Sequence, residues 1–288
     1  MESFSLEKVL SVRINTLKIS VSEAEKLLRD AGLVFERVPF LENAFIIKNI
    51  HREELSRMDF FEKGSFYQQN LSSMIVPTVL DPKAGEMVLD MCAAPGSKST
   101  QMAAMMNNKG QIVCVENVRD RFFRLKSVVA LLGASNIKCQ FVDGRKYRNQ
   151  DQLFDKVLLD APCSTEGRFS LLHKDSVKYW SPRKIKEMQH KQRGLILNAG
   201  RLLKPGGVLV YSTCTFAPEE NESVVDWFLR KADGAWQIED VVLNDVARYP
   251  AILEWNEREF DERVKHCVRI LPSQMLDGFF IAKLRKIN

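Results

Sequence analysis

A strand, a turn of small residues and a helix follow one another in residues 87–106, MVLDMCAAPGSKSTQMAAMM. The apolar run Met87–Met91 is typical of a buried strand, and Ser99–Met106 consists largely of good helix formers. Small residues in the intervening turn, Cys92–Lys98, let a ligand approach the backbone closely, as glycine-rich nucleotide loops do. The same turn could instead be only a tight connection. In both cases the segment predicts one strand–helix unit of an α/β sheet.

Three later apolar segments each end on a carboxylate, at Glu116, Asp143 and Asp160. Glu116 lies 20 residues after Gly96, where dinucleotide-binding folds place a carboxylate on ribose hydroxyls. A single acidic residue after a strand is more often a cap or turn residue. Several at the same end of a sheet favour a pocket for an adenosine-type ligand. The lack of a GxGxxG motif disfavours nicotinamide and flavin cofactors.

Two cysteines occupy similar turns later in the chain. Cys163 ends the turn Asp160–Cys163, and Cys214 lies 51 positions further on in Ser212–Thr215. Each turn follows an apolar segment of β-type residues. An isolated cysteine is most often a buried small hydrophobe. In a parallel sheet both thiols would lie at the carboxyl ends of strands, where ligands bind, so the pair indicates chemistry.

Motifs around these turns resemble those of a known family. The strings LDMCAAPGSKSTQMA, DAPCSTEGR and VYSTCTFAPEENESVV closely resemble signature motifs of the NOL1/NOP2/Sun (RsmB/NOP) family of RNA cytosine-C5 methyltransferases. RINT at 13–16, FYQQN at 66–70 and DGFFIA at 277–282 resemble its framing segments, so the likeness covers almost the whole chain. Ser97 and Glu116 stand where the family often has Gly and Asp, and both changes keep the needed chemistry. Ser164–Gly167 replaces a smaller, glycine-rich sequence.

The resemblance implies a Rossmann-like class I methyltransferase sheet that uses S-adenosyl-L-methionine. It implies that Cys214 is the nucleophile, that Cys163 assists breakdown of the covalent intermediate, and that Asp160 and Lys98 contact the base. Covalent addition of a thiolate is needed because carbon 5 of cytosine is a weak nucleophile. The implied cofactor-binding residues are Cys92, Ala93, Ala94, Pro95, Gly96, Ser97, Lys98, Glu116, Arg121, Asp143, Gly144 and Asp160.

Composition fits a monomeric cytoplasmic enzyme. With 288 residues and 45% hydrophobic residues, the chain can bury a sizeable core. No apolar run approaches the roughly 20 residues that span a bilayer, and the first residues show no signal-peptide pattern. Six cysteines without a CxxC spacing predict neither a metal site nor a disulfide framework. Cys114, Cys139 and Cys267 lie within apolar segments and are expected to be structural.

Positive charge is concentrated in two segments that adjoin the expected site. Residues 117–150 hold 8 Lys/Arg against 2 Asp/Glu, and residues 168–204 hold 10 against 2, whereas residues 1–75 hold 10 against 11. A charge run is usually a solvated face. The position of these two favours contact with RNA phosphates. The resemblance slightly favours tRNA over rRNA as the partner, because the sequence shows none of the additional RNA-binding domains that several ribosomal-RNA members carry. Tyr179 and Trp180 could stack a base or pack as an ordinary aromatic pair.

The pattern predicts two domains, residues 1–75 and residues 76–288. The first is predicted to be a small α+β unit, similar to the family's RNA-recognition-like segment. The second is predicted to be a doubly wound catalytic sheet, and the alternation of strands and helices typical of such a sheet begins at Phe66. Predicted elements are strands 12–15, 34–38, 45–48, 264–270 and 279–284, with helices 21–31 and 185–203, the last ended by Pro205-Gly206-Gly207.

Two rival functions remain open at this stage. A DNA cytosine methyltransferase would share the chemistry, but in that class the Pro-Cys thiol is the nucleophile. The other rival is an RNA-binding assembly factor with a vestigial methyltransferase site. The intact set of Cys163, Cys214, Lys98 and Asp160 argues against it.

Overall fold

A computed structural model describes residues 2–149, 152–232 and 235–288. Two sheets dominate these residues, one of four strands and one of nine. The strands are β1 Leu10–Ile14, β2 Phe35–Val38, β3 Leu41–Ile47, β4 Phe66–Gln68, β5 Met87–Asp90, β6 Gln111–Glu116, β7 Ile137–Phe141, β8 Phe154–Asp160, β9 Leu203–Thr213, β10 Trp236–Glu239, β11 Arg248–Pro250, β12 Glu254–Trp255, β13 Arg258–Glu259, β14 Val268–Ile270 and β15 Phe279–Lys286. The helices are α1 Val21–Asp30, α2 Arg52–Ser56, α3 Asp59–Glu62, α4 Leu71–Leu80, α5 Ser97–Met105, α6 Arg119–Leu132, α7 Pro182–Leu202 and α8 Glu222–Lys231.

The smaller sheet is antiparallel and has the strand order β2-β3-β1-β4. A capping box of Ser20 and Glu23 starts α1, whose Leu28 packs into the core of this unit. The expectation that the catalytic alternation begins at Phe66 was wrong, since β4 pairs with β1. Phe66 is buried in this core beside Phe61, and that packing recruits the strand.

Helix α4 connects the two sheets. The predicted boundary between residues 75 and 76 falls within it, and the helix packs against β3 of the first sheet and β8, β9 and β15 of the second. The buried Arg13 of β1 also donates to the Thr100 hydroxyl of α5 at 2.9 Å. Whether the two units fold as separate domains stays a prediction.

The larger sheet has the order β11-β14-β15-β9-β8-β5-β6-β7, with β10 paired to β15. Strands β9, β8, β5, β6 and β7 are parallel, which confirms the predicted α/β class. Alternate residues of each strand face opposite sides, and helices cover both faces, as a parallel sheet requires. No helix among the described residues is long and apolar enough to cross a membrane.

Two boundaries differ from the sequence prediction. Helix α7 ends at Leu202, and Pro205–Gly207 lies within β9, because Leu203 already pairs with Phe154 before a shift in register. The predicted strand 264–270 is only β14, since Glu262–His266 forms a 3-10 helix capped by the Asp261 side chain. In both cases a pairing or capping contact displaced an element that local composition favoured.

Candidate active site

The carboxyl ends of β5, β6, β8 and β9 form one wall of a cleft of about 520 Å³, and α7 forms another. The cleft brings together nine of the predicted site residues: Cys92, Ala94, Glu116, Arg121, Asp143, Gly144, Asp160, Cys163 and Cys214. Ala93, Pro95, Gly96, Ser97 and Lys98 do not line the cleft, and Pro95 is exposed. The strand order therefore collects residues that lie more than 120 positions apart in the sequence.

The turn after β5 is held tightly against its neighbours. The amide of Ala93 donates to Val115 of β6 at 3.0 Å, and the amide of Gly96 donates back to Ala93 at 2.7 Å. Gly96 has a φ of 107°, and a Cβ there would lie 3.0 Å from the Leu125 side chain of α6. Glycine at this position satisfies both the backbone conformation and the close packing.

Glu116 is buried at the end of β6, with its carboxylate oriented by the backbone. It accepts hydrogen bonds from the amides of Asn117 and Val118, both at 2.9 Å. Arg121 lies 3.6 Å from the carboxylate and donates to the carbonyl of Ala94 at 2.7 Å. Arg121 thereby connects the turn after β5 to the carboxylate after β6.

Asp160 is fixed from two sides at the end of β8. Lys98 Nζ lies 2.6 Å from Oδ2, and the hydroxyl of Ser212 donates to Oδ1 at 2.8 Å. Asp160 ends β8, and Cys214 directly follows the adjacent strand β9, which contains Ser212. The carboxylate and that thiol are therefore positioned by neighbouring strands. Lys98 thus contacts a cleft residue without lining the cleft itself.

The two predicted cysteines face each other with their Sγ atoms 3.3 Å apart. Both are half-buried, and both are free thiols. The neighbouring Cys214 thiol and burial raise the pKa of Cys163 well above its usual range. Cys114 and Cys267 are buried, and Cys139 is half-buried.

Buried and paired carboxyls around the cleft differ in pKa. Burial raises the pKa of Asp90, the last residue of β5, to about 6, although the Ser99 hydroxyl donates to it at 2.7 Å. By contrast, the hydrogen bonds of the Arg145 guanidinium lower the pKa of Asp143 below its usual range. Clusters of shifted titrating groups in a cleft are characteristic of functional sites.

Helix α7 supplies cleft residues that sequence reasoning did not assign. Met188 and Leu195 form an apolar part of the wall, and Lys184 and Lys191 lie beside them. Glu187 pairs with both lysines, at 3.3 and 2.6 Å. The excess of basic residues in 168–204 was the only signal for this wall, because the apolar period of α7 is equally consistent with plain core packing.

Tyr179 and Trp180, in the basic segment 168–204, have different surroundings. Trp180 donates its indole N–H to Glu166 at 2.5 Å and packs edge-on against Phe169. Tyr179 is 80% exposed. Trp180 is therefore anchored by Glu166 and Phe169, although 42% of its surface stays exposed.

The chemistry of the cleft fits S-adenosylmethionine. A buried carboxylate at the end of the second strand suits ribose hydroxyls, and the apolar side chains of Met188 and Leu195 suit an adenine face. Gly144 lines the same cleft, and a Cβ there would lie 2.9 Å from Leu195 and 3.0 Å from the Met91 carbonyl. Glycine at this position therefore permits the close packing of Leu195 and the Met91 carbonyl in the wall of the cleft.

A model of the family described as 16S rRNA methyltransferase RsmB/F matches residues 77–285. The chain belongs to this family. The family predicted from the sequence motifs is confirmed. The prediction that the protein is an S-adenosylmethionine-dependent methyltransferase is confirmed with it.

Curated members of the RsmB/F family include close relatives of two kinds. The tRNA (cytosine(49)-C(5))-methyltransferase of Pyrococcus abyssi is 41% identical over 278 residues, which cover 96% of this chain and 88% of the relative. Ribosomal RNA small subunit methyltransferase F of Escherichia coli (strain SE11) is 39% identical over 96% of this chain. The chain spans 57% of the length of that relative.

Solved structures share the whole fold. A methyltransferase homologue from Pyrococcus horikoshii superposes with a TM-score of 0.85 at 34% identity, covering 99% of this chain and 88% of that one. NSun6 from Pyrococcus horikoshii, solved with the S-adenosylmethionine analogue SFG, has a TM-score of 0.83 at 26% identity, with 100% and 93% coverage. The Rossmann-like class I methyltransferase sheet is thereby confirmed for this RsmB/F family member.

Proposed function

We propose that this RsmB/F family member methylates carbon 5 of a cytosine in RNA, with Cys214 as the nucleophile and Cys163 as the second thiol. The observation that carries the proposal is the 3.3 Å separation of the two Sγ atoms in the cleft that also contains Glu116 and Asp160. A cysteine with a purely structural role does not need a second thiol beside it. Two thiols facing one substrate cavity support one bond-forming and one bond-breaking role.

The proposed chemistry follows from the needs of the base. The Cys214 thiolate forms a bond to carbon 6, which makes carbon 5 nucleophilic. S-adenosylmethionine, when bound, supplies the electrophilic methyl group that carbon 5 attacks. A water molecule then takes the proton on carbon 5, and the electron pair of that C–H bond expels Cys214 from carbon 6 as a thiolate. Cys163, whose raised pKa keeps it protonated, assists that release by donating a hydrogen bond to the departing sulfur 3.3 Å away.

Asp160 and Lys98 are proposed to hold the base. The carboxylate of Asp160 is fixed by Lys98 and Ser212 and faces the same cleft as both thiols. A fixed carboxylate can accept a hydrogen bond from the exocyclic amino group of cytosine without reorganising. Lys98 orients that carboxylate and neutralises its charge.

The cofactor is proposed to bind along the ends of β5, β6 and β7. Glu116 would accept hydrogen bonds from the ribose hydroxyls, Asp143 and Gly144 would border the adenine, and the turn Cys92–Lys98, of which Cys92 and Ala94 line the cleft, would hold the remaining part. Arg121 supports this arrangement through Ala94 and Glu116. Glu116, Arg121, Asp143 and Gly144 line the same cleft as the two thiols.

As substrate we favour a tRNA over ribosomal RNA. The relative that is named for a tRNA activity is 41% identical to this chain, and the ribosomal relative of Escherichia coli is 39% identical. The basic α7 wall would then contact backbone phosphates next to the target base. Free thiols at the site also support action in a reducing compartment such as the cytoplasm.

The proposal is tested with labelled cofactor and RNA from cells that lack the gene. The wild type should transfer label to RNA and not to DNA, and Cys214→Ala should abolish transfer while binding the cofactor normally. Cys163→Ala should accumulate a protein–RNA adduct that survives a denaturing gel, and Cys163→Ala/Cys214→Ala should not. Cys139→Ala, which removes a half-buried thiol of β7, serves as the matched control and should behave as the wild type.

Three outcomes would contradict the proposal. Turnover by Cys214→Ala would exclude that residue as the nucleophile. An adduct in the double variant would show that another residue bonds to the base. Cofactor binding without transfer to any RNA would favour the assembly-factor alternative.

A further inference from the structure

Two consecutive buried residues outside the cleft contact both cysteine turns. Glu220 and Asn221 lie just before α8, and each has 0% exposure. Neither lines the cleft, so neither can touch a substrate there. Burying a carboxyl and an amide costs free energy unless their hydrogen bonds are made, so the partners of these two groups are informative.

Glu220 holds the turn that carries Cys163. Its carboxyl accepts the backbone amide of Ser164 at 3.1 Å and the side-chain amide of Gln192 at 2.7 Å. The same Gln192 nitrogen donates to the carbonyl of Pro162 at 2.9 Å. Both neighbours of Cys163 in the chain are therefore tied, directly or through one glutamine, to the Glu220 side chain.

Asn221 holds the turn that carries Cys214 in the same manner. Its side-chain oxygen accepts the hydroxyl of Thr213 at 2.5 Å, and its side-chain nitrogen donates to the carbonyl of Thr215 at 3.0 Å. These are again the two residues that flank the cysteine. The side-chain amide of Asn221 therefore holds the residues on both sides of Cys214.

Further contacts join the two turns and anchor the pair beneath them. The hydroxyls of Ser164 and Thr215 lie 2.7 Å apart, and the amide of Gly167 donates to the carbonyl of Cys214 at 3.0 Å. The buried Tyr211 hydroxyl donates to the Glu220 carbonyl at 2.5 Å. Because consecutive Cα atoms are always about 3.8 Å apart, two adjacent residues form a rigid spacer between the turns they hold.

We propose that Glu220 and Asn221 are positioning residues that together set the distance between the two thiols, Glu220 by fixing the Cys163 turn and Asn221 by fixing the Cys214 turn. The catalytic consequence rests on the proposed function, whereas the geometric one does not. Loss of Glu220 should displace Cys163 and impair release. Loss of Asn221 should displace Cys214 and impair attack. The two neighbours thus have opposite effects on the covalent intermediate.

The geometric part is tested without RNA, by titrating the protein with phenylarsine oxide, whose arsenic binds two nearby thiols. Binding of the second thiol is intramolecular, so its benefit falls when the thiols are displaced. Glu220→Ala and Asn221→Ala should each weaken binding about tenfold relative to the wild type, with partial rescue in Glu220→Gln, which keeps an acceptor for Ser164. Unchanged binding in both alanine variants would overturn the proposal.

Asp226→Ala is the matched control. Asp226 is also fully buried on α8 and accepts from Arg230, Arg258 and the amide of Asp261, but it contacts neither cysteine turn. Its loss should lower thermal stability and leave arsenical binding unchanged. If Asp226→Ala weakens binding as much as the two test variants, general loosening explains the effect and the proposal fails.

The catalytic part is tested by the level of denaturation-resistant RNA adduct. Glu220→Ala should raise it above the wild type, and Asn221→Ala should lower the rate of adduct formation about tenfold or more, since an error of about 1 Å in placement costs up to about a hundredfold in rate. If the alanine variants do not fold, Glu220→Gln and Asn221→Asp should show the same directions more weakly. Equal changes in one direction would refute separate positioning roles.

The two failures can be told apart. If no variant forms an adduct, Cys163→Ala included, the proposed function is wrong while the arsenical titration still decides the geometric proposal. If Cys163→Ala forms the adduct but Glu220 and Asn221 variants match the wild type, the proposed function stands and the positioning roles are refuted.

Discussion

The two ends of the same parallel strands carry clefts that are similar in size but differ in their chemical groups. At the amino ends, a cleft of about 430 Å³ is bordered by pairs between lysines and carboxylates, Lys156 with Glu86 at 3.2 Å and Lys204 with Asp155 at 2.6 Å. At the carboxyl ends, a cleft of about 520 Å³ contains both thiols and a carboxylate, Glu116, held by backbone amides. Cavity size therefore does not identify the site.

Two aspartates at opposite ends of the sheet have pKa values shifted in opposite directions. Burial raises the pKa of Asp90, at the carboxyl end of β5, to about 6. Asp155, near the amino end of β8, is also partly desolvated, but its hydrogen bonds with Lys204 and Met87 hold its pKa below the usual range. Carboxylates are paired at both ends, but the carboxyl-end cleft also contains two thiols and the buried Glu116, which a ligand can engage.

The comparison is tested most strongly by cofactor affinity. Glu116→Ala should weaken binding of S-adenosylmethionine about thirtyfold, because hydrogen bonds to a charged group contribute roughly 1.5–3 kcal/mol. Asp155→Ala removes a carboxylate from the other end of the sheet and should leave the affinity within about twofold. Isothermal titration calorimetry measures both. Equal dissociation constants for the two variants would show that the carboxyl-end cleft is not the cofactor site.

A second, smaller difference is expected in RNA binding. Neutralising Lys184, Lys186 and Lys191 to Gln should weaken binding to all RNAs about tenfold at moderate salt. It should also reduce the slope of log affinity against log salt by about 2, at roughly 0.7 per phosphate contact on a single strand. Fluorescence anisotropy at several salt concentrations measures this slope.

The matched control removes Arg258, Arg263 and Lys265, which form ion pairs with Asp226, Asp261 and Glu262. Loss of three positive charges anywhere lowers long-range attraction for RNA, so only a local groove predicts that the slopes differ. If both triple variants give the same slope, the α7 lysines form an ordinary solvated face, and the RNA surface has to be sought elsewhere.

The smallest effect is a difference in the pH dependence of stability. Native Asp90 keeps its proton up to about pH 6, while the unfolded chain loses it near pH 4, so stability from this group falls as pH rises between those values. Relative to the wild type, Asp90→Asn should therefore gain on the order of 1–3 kcal/mol of unfolding free energy across that range.

Asp155→Asn should show the opposite sign. A carboxyl whose native pKa is lowered contributes stability above its unfolded pKa and loses it as pH falls. The variant should be less stable than the wild type at neutral pH and approach it in acid. Urea unfolding at a series of pH values measures both variants, and parallel pH profiles for the two would contradict the contrast between the ends of the sheet.

Much of the site was predictable because its signal is local. Each strand of the catalytic sheet ends in a turn whose residue types stand out, and the rule that ligands bind at carboxyl ends placed Cys163 and Cys214 at one edge. Their separation of 3.3 Å agrees with that prediction. The roles of Lys98, Asp160 and the cofactor residues stay proposals, although most of those side chains line one cleft.

Other features had no local signal. Phe66–Gln68 has the composition of a strand for either sheet, and only its pairing with β1 assigns it to the smaller one. Glu220 and Asn221 read as part of a polar loop before a helix, although both are fully buried. Ser164, which donates to Glu220, lies 56 positions earlier in the chain, so no short window of sequence contains that hydrogen bond. The partners of Asn221, Thr213 and Thr215, are only eight and six positions away, but their residue types do not indicate that Asn221 is buried.

By itself, the sequence determined the class of sheet, the family and the residue types that could perform the chemistry. These depend on apolar periodicity and on short motifs, in which neighbouring residues act together. The tertiary structure alone decided which face of α7 lines the cleft and which carboxyls are buried and therefore have a shifted pKa. It also decided how Glu220 and Asn221 hold both cysteine turns. Those properties arise from contacts between distant segments, and burial and distance exist only once the chain has folded.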